Sequence, residues 1–487
     1  MATASSSSEK QYSIVAIALM TSAAVISLRG LPMMAKEEMT MFFYIGFATF
    51  LFLIPAALVA AELGSAFSDH GGGVYTWVEQ AYGPRAGFVA IWLQWIQNVV
   101  WYPTVMSFAA AGVAYMLARP DLANDQYYIG VFCIIFYWLS TWMTFQGSAV
   151  ISKVTGGSFL IGTVLPGIVV IILALLWIEY GDPVAFEHLI TQDTGLVKEE
   201  AGKVLPRFWP EITSFGNIAF LAGIILLFAG VEVHAVHANE MKNPKKEFPI
   251  AMLVASLIIF LLFTLGSLAV AAVIPPNDID LQSGLMAASQ DMLDKLGLGE
   301  WNRLFCLLLA FGALGGVMSW ISGPSKGLLW TATNGELPPA LAKTNAEGIP
   351  TNILLLQGGI VTVLSCIYFV FKNVSVAFFL ISAMTIALYL MMYMLMYASA
   401  IRLKFTQPEL ERPYKVPGGI GGMIVIAGLG FLGVLFAFIV SFFPPSNLPI
   451  GSPSTYVGIV IAGTVVFPSI AFIIHMMKKP SWKSSQN

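Results

Sequence analysis

Two short stretches decide the fold: Ser27-Leu28-Arg29-Gly30-Leu31-Pro32, at the end of the apolar run 12–31, and Phe228-Ala229-Gly230-Val231-Glu232, inside the apolar run 215–237. Each sets a charged residue and a helix-softening glycine in a segment long enough to cross a bilayer, which takes about 20 apolar residues. Hydrocarbon offers no water to loose backbone groups, so irregular backbone at that depth must line a cavity or be buried in protein. The bland reading of each stretch is a glycine-softened helix contact, since glycine is common in membrane helices. The two lie five apolar runs apart, however. A pair of interrupted helices at equivalent places in two five-helix halves points to an inverted-repeat transporter, with a site at the membrane midplane.

Working outward, apolar runs fall at 12–31, 41–62, 86–117, 126–149, 154–178, 215–237, 250–275, 301–334, 351–371, 374–402, 421–443 and 454–477. Twelve transmembrane helices are expected. Composition agrees: 57% of the 487 residues are hydrophobic and 10% charged, where soluble chains carry roughly a quarter charged residues. We therefore expect one all-α, polytopic membrane domain instead of the three or so soluble domains that length alone would suggest. It divides into an N-terminal tail (1–11), helices 1–5 (12–178), an extracytoplasmic loop (179–214), helices 6–10 (215–402), helices 11–12 (403–477) and a short tail (478–487).

With the N-terminus inside, Lys10, Arg85, Lys153, Lys242, Lys245, Lys246, Lys326, Lys343, Arg402, Lys404, Arg412, Lys415, Lys478, Lys479 and Lys483 all fall on the inside, which is most of the 24 basic residues. Both termini are therefore expected in the cytoplasm. The first apolar run has no small-residue cleavage site and reads as a retained span. The net charge of −3 is too small and dispersed to imply a nucleic-acid partner or a polybasic anchor. Cys133, Cys306 and Cys366 sit in apolar runs without metal-ligand spacing, so they read as buried small hydrophobes and no metal or cofactor is expected. No HExxH, GxSxG or nucleotide loop supports an enzyme.

Four connecting segments carry a resemblance: His70-Gly-Gly-Gly-Val-Tyr75 through Gly83-Pro84, Asn239-Glu240-Met-Lys-Asn243-Pro244 through Pro249, Gly323-Pro-Ser-Lys326 through Gly335-Glu-Leu-Pro338, and Glu411-Arg412-Pro413-Tyr-Lys-Val-Pro417-Gly-Gly. In order and spacing they resemble the cytoplasmic signatures of the amino acid–polyamine–organocation (APC) superfamily of permeases, over the whole chain. Gly230-Val-Glu232, Ser319-Trp320-Ile-Ser-Gly-Pro324 and Ala437 through Pro445 are most similar to the bacterial glutamate/γ-aminobutyrate antiporters. The resemblance implies a leucine-transporter-like (APC) fold, with ten helices in two inverted five-helix repeats, two further helices, and alternating access in a plasma (bacterial inner) membrane.

A free amino acid would suit such a site. Backbone N–H groups freed around Val25, Ile26 and Ser27 would hold its carboxylate, and carbonyls freed at Leu227, Phe228 and Ala229, beside Gly230, its ammonium. Many members of the superfamily carry Gly-Ser-Gly where this chain has Val25-Ile26-Ser27. Arg29 has two readings: a partner for a substrate carboxylate or for Glu232, or a side chain snorkelling to the outer interface. Trp320 and Tyr389 match positions at which the family covers its substrate with aromatic rings; elsewhere such rings are packing.

Ionised carboxylates are expensive within a span, so Glu232 reads as a gate or a group whose protonation changes during transport, with a structural pair or helix cap as the alternative. His234 and His237 follow on one helical face, either as pH-sensitive groups or as polar packing residues. Glu62 either joins an inner gate or pairs structurally with the Gly-rich loop after it. No lysine stands in 161–165, where some proton-coupled relatives have one. The sequence closes at Asn487 without the long His-containing tail of well-known glutamate/γ-aminobutyrate antiporters, so pH dependence is expected from Glu232, the histidines or outside-loop carboxyls. The resulting expectation is an amino-acid antiporter, with glutamate and γ-aminobutyrate the leading pair. The alternatives are a proton-coupled symporter and a non-transporting sensor. Small amino acids and membrane lipid are the expected partners, and oligomeric state stays open.

Overall fold

The computed structural model describes residues 13–67, 73–180, 197–200, 203–206, 208–210, 212–233, 241–446 and 452–482. Among these, eleven helices are long and apolar enough to cross a membrane, and a bent pair makes up a twelfth crossing. The bent pair, Ile14–Val25 and Leu28–Ala35, is span 1, turning by 46° at its break. Spans 2 to 6 are Glu38–Ala66, Pro84–Met116, Gln126–Thr144, Ala149–Glu179 and Phe215–Val233. Spans 7 to 12 are Lys246–Val273, Trp301–Thr333, Thr351–Val370, Val374–Thr406, Gly419–Val440 and Pro453–Met476. The expectation of an all-α polytopic membrane protein therefore holds. Twelve crossings bring both ends of the described chain to one face, the termini face.

The spans differ in what surrounds them. Span 10 is 94% buried over its most apolar stretch and span 12 only 28%, so span 10 runs through the middle of the bundle and span 12 along its outside. Exposed apolar side chains such as Phe50, Leu175, Val363 and Leu432 form the outward belt, as expected where lipid replaces water as the surrounding solvent.

Two short helices and a strand pair are among the described structure outside the apolar runs. A nine-residue helix, Val74–Tyr82, buries every residue from Val74 to Val78, a whole turn, together with Ala81. A second, Gly284–Lys295, buries Leu285, Met286 and Met292. The segment read as a loop at 179–214 contains an antiparallel pair, Val197–Glu200 and Lys203–Pro206, which marks the opposite, hairpin face. The cysteine reading needs one correction: Cys133 and Cys306 are buried, but Cys366 is exposed, its thiol donating to the Thr362 carbonyl at 3.3 Å on the outer face of span 9.

Candidate functional site

The α-helical ladder of span 1 stops where the Ile26 N–H reaches the Ser22 carbonyl at 2.8 Å. Ser27 is extended, with φ −134° and ψ 115°, and a 3-10 turn, Leu28–Gly30, leads into Leu31–Ala35. Pro32 sits in the first turn of that second half, where its missing N–H costs no hydrogen bond. In span 6 the helix Phe220–Leu227 ends and the Phe228 and Ala229 N–H groups fold back onto Ile225 and Leu226. Gly230 follows at φ +121°, a backbone conformation that a Cβ disfavours.

These breaks meet. A Cβ on Gly30 would lie 2.4 Å from Leu227 Cδ1, and one on Gly230 would lie 3.3 Å from the Trp320 ring and 3.5 Å from the Ala24 carbonyl oxygen. Among the described residues, the N–H groups of Ser27, Leu28 and Arg29 have no backbone acceptor, and the carbonyls of Leu227, Phe228 and Ala229 have no backbone donor. This corrects the sequence-based nomination at span 1. Val25 is still helical and Ile26 N–H is used, so the free donors begin at Ser27, two residues later than read.

Between the breaks lies a cavity of about 640 Å³. Val25, Ile26, Ser27, Arg29, Leu227, Ala229, Trp320 and Tyr389 line it, from spans 1, 6, 8 and 10. Phe228 and Gly230 do not. Phe228 is fully buried with its ring 5.1 Å from Phe263, and the Gly230 N–H is taken by Tyr393 Oη at 3.0 Å.

Glu232 also stands behind the wall, 2% exposed. Its Oε1 accepts from Tyr389 Oη at 2.5 Å and Gln94 Nε2 at 3.3 Å, and its Oε2 accepts from Tyr393 Oη. Three donors from spans 3 and 10 thus replace the water a carboxylate would otherwise need, with no cation among the described residues. Tyr389 touches both the cavity and the carboxylate.

For Arg29 the structure sets aside snorkelling and a pair with Glu232, and leaves the reading as a partner for a substrate carboxylate. It is 4% exposed, so it does not snorkel to an interface, and it makes no ion pair with Glu232. Its guanidinium carbon lies 5.3 Å from the Trp101 ring centre and 5.9 Å from that of Phe378. Its Nε has no hydrogen-bond partner.

Glu62 is not part of this cavity. Its Oε1 contacts Lys404 Nζ at 2.7 Å and Arg412 Nε at 3.0 Å, and its Oε2 accepts from the Val416 N–H at 2.7 Å. Among the described residues its partners are two basic residues and a backbone N–H of the 404–416 segment; residues 68–72, which hold most of the Gly-rich loop, lie outside the described residues. His234 and His237 lie outside the described residues.

The sequence reading missed the contribution of span 3. Gln97 and Asn98 line the cavity and donate to the Gln94 carbonyl at 3.2 and 2.8 Å, and Trp101 continues the same face. Buried amides at positions i, i+3 and i+4 of an apolar span were the available signal. Toward the hairpin face the lining runs past Arg29 and Trp101 to Val105, Phe108 and Leu309. At that face Lys36 Nζ donates to the Pro276 carbonyl at 2.7 Å. Burial draws the Lys36 ammonium below its usual range, opposed by Asp280, Asp278 and Glu37. Toward the termini face the lining reaches exposed Gly156, Gly323 and Lys326.

Twelve crossings and a central cavity bounded by two broken spans define a multi-pass membrane carrier by class. The chain belongs to the amino acid permease family, whose model matches residues 12–467. It is 37% identical to an uncharacterized transporter of Legionella pneumophila, over 96% of this chain and 97% of that protein. It is 30% identical to a glutamate/gamma-aminobutyrate antiporter of Lactococcus lactis subsp. lactis, over 96% and 90%. It is 25% identical to a probable agmatine/putrescine antiporter of the same organism, over 81% and 79%. The family and these relatives are transporters, so the chain is a transporter and not an enzyme.

Proposed function

We propose that this permease is an antiporter that exchanges an external amino acid for a related internal one by alternating access, with glutamate and γ-aminobutyrate the leading pair. One observation carries the reading: among the described residues, backbone N–H groups at Ser27, Leu28 and Arg29 that lack a backbone acceptor stand across the cavity from carbonyls at Leu227 and Ala229 that lack a backbone donor. An amino acid brings a carboxylate for the donors and an ammonium for the acceptors, and unwound half-helices serve both. Trp320 forms the cover from span 8. Glu232, reached through Tyr389, is the group whose hydrogen bonding changes as the cavity fills and empties.

In this reading 12–178 and 215–402 are the two inverted repeats. The termini face is cytoplasmic, the membrane is the bacterial inner membrane, and the cavity, lined out to Lys326, faces inward. The name of the glutamate/gamma-aminobutyrate antiporter relative supports the choice of exchange partners. The test is uptake of labelled glutamate into proteoliposomes. Uptake only into vesicles preloaded with glutamate or γ-aminobutyrate is expected. Uptake into empty vesicles driven by a proton gradient would replace exchange with symport, and no flux of any amino acid would overturn the transport reading.

A further inference from the structure

We propose that Arg29 forms a second anion subsite, which takes the distal acid group of a dicarboxylic amino acid and makes the cavity favour the acid over its amide. The proposal deepens the reading above and rests on the cavity being the substrate site. A guanidinium removed from water needs anionic or strong acceptor partners, because desolvation without them is costly. Arg29 is 4% exposed, its Nε has no partner, and it lines the cavity. Trp101 and Phe378, at 5.3 and 5.9 Å, hold the cation by their ring faces but bring no negative charge, and the edges of its planar fork are left for a bidentate acid.

The cavity as a whole repeats the argument. Among the described residues its lining contains the cations Arg29 and Lys326 and no aspartate or glutamate. Glu232, the buried carboxylate of span 6, is occupied by Tyr389, Tyr393 and Gln94 and lies outside the lining. The missing negative charge has to arrive with the ligand. Its position is constrained too. The Arg29 N–H is one of the free donors at the span 1 break, so the guanidinium stands one arginine side chain away from the groups assigned to the α-carboxylate. Aspartate and glutamate have their two acids separated on that scale. A dicationic or guanidinium ligand would meet two like charges and no counter-ion, so polyamines are excluded even though a relative of this chain carries a polyamine name.

The experiment is equilibrium binding to the purified full-length chain in detergent, titrated at neutral pH with L-glutamate, L-glutamine, L-aspartate, L-asparagine and agmatine. Acid and amide are near-isosteric, so each pair isolates the charge. Wild-type protein is expected to bind each acid about 10- to 100-fold more tightly than its amide and agmatine weakest, as for a buried charge pair matched by its ligand. Arg29→Gln is expected to bring the acid-to-amide ratio to within about threefold. Arg29→Lys, which keeps the charge but loses the fork, should give an intermediate ratio and decides the matter should the glutamine variant fail to fold. Equal affinity for acid and amide in the wild type, an undiminished ratio in Arg29→Lys, tighter agmatine than glutamate, or no binding of any ligand would each overturn the subsite. Selective binding without flux in proteoliposomes would instead sink the transport reading and leave the subsite standing.

Discussion

Tyr389 and Tyr393 sit one helical turn apart, both donate to Glu232, and yet they do different things. Tyr393 is enclosed and also receives the Gly230 N–H at 3.0 Å, so Tyr393→Phe strands a buried donor and costs about 1–3 kcal/mol. Tyr389 faces the cavity, and Glu232 Oε1 keeps Gln94 when Tyr389 is lost. We therefore expect Tyr393→Phe to lower the thermal unfolding midpoint more than Tyr389→Phe, and Tyr389→Phe to depress exchange more for the stability it loses; the opposite ranking in both assays would reverse the assignment. Trp320→Ala removes the cover, with about tenfold or greater loss of exchange expected in a protein still extractable and monodisperse; wild-type flux would take Trp320 out of the site. At this scale the sequence exposed Glu232, because a carboxylate in an apolar run has few innocent explanations. It did not expose Tyr393, one aromatic among many on span 10, since nothing local distinguishes a tyrosine whose hydroxyl meets a buried carboxylate from one that only packs.

Elements were the most legible level, and their crossings the least. Apolar length gave each span because a bilayer tolerates little else over about 30 Å. The Val74–Tyr82 and Gly284–Lys295 helices escaped because both are short and carry polar residues such as Glu79, Gln80, Gln290 and Asp291, which break the hydrophobic run. Crossings depend on close approach. Spans 5 and 8 touch at Gly162 and Gly312, where a Cβ on Gly312 would lie 2.2 Å from the Gly162 carbonyl oxygen. That contact coincides with a π-helical turn, Leu160–Val164, in span 5. Membrane helices gain little from hydrophobic burial against each other and rely on close packing through small residues. Gly312→Val should therefore force these backbones apart at a cost of about 1–3 kcal/mol, read as a lower unfolding midpoint together with reduced exchange. A midpoint within a degree of wild type would show that the crossing yields without cost.

The whole molecule is tied together at points that no single element contains. Glu62 of span 2 holds Lys404 at the end of span 10, and Arg412 and the Val416 N–H in the connection to span 11. The three side chains are at most 8% exposed. Glu62→Gln leaves two cations buried without their anion, which typically costs about 3–5 kcal/mol; unfolding in detergent should show a large loss, and a change under about 1 kcal/mol would mean that water reaches the cluster. The sequence by itself determined the membrane class, the number of crossings and the neighbourhood of both breaks. Those follow from the bilayer's demand for apolar length and satisfied backbone, which acts on contiguous residues. Only the tertiary structure decided that N–H groups without a backbone acceptor begin at Ser27, that Glu232 is satisfied by spans 3 and 10, that Glu62 meets Lys404 and Arg412, and that Arg29 has no anion among the described residues. Each is a meeting, or a failure to meet, of groups far apart in the chain, and hydropathy and local pattern carry no information about which side chains fold together.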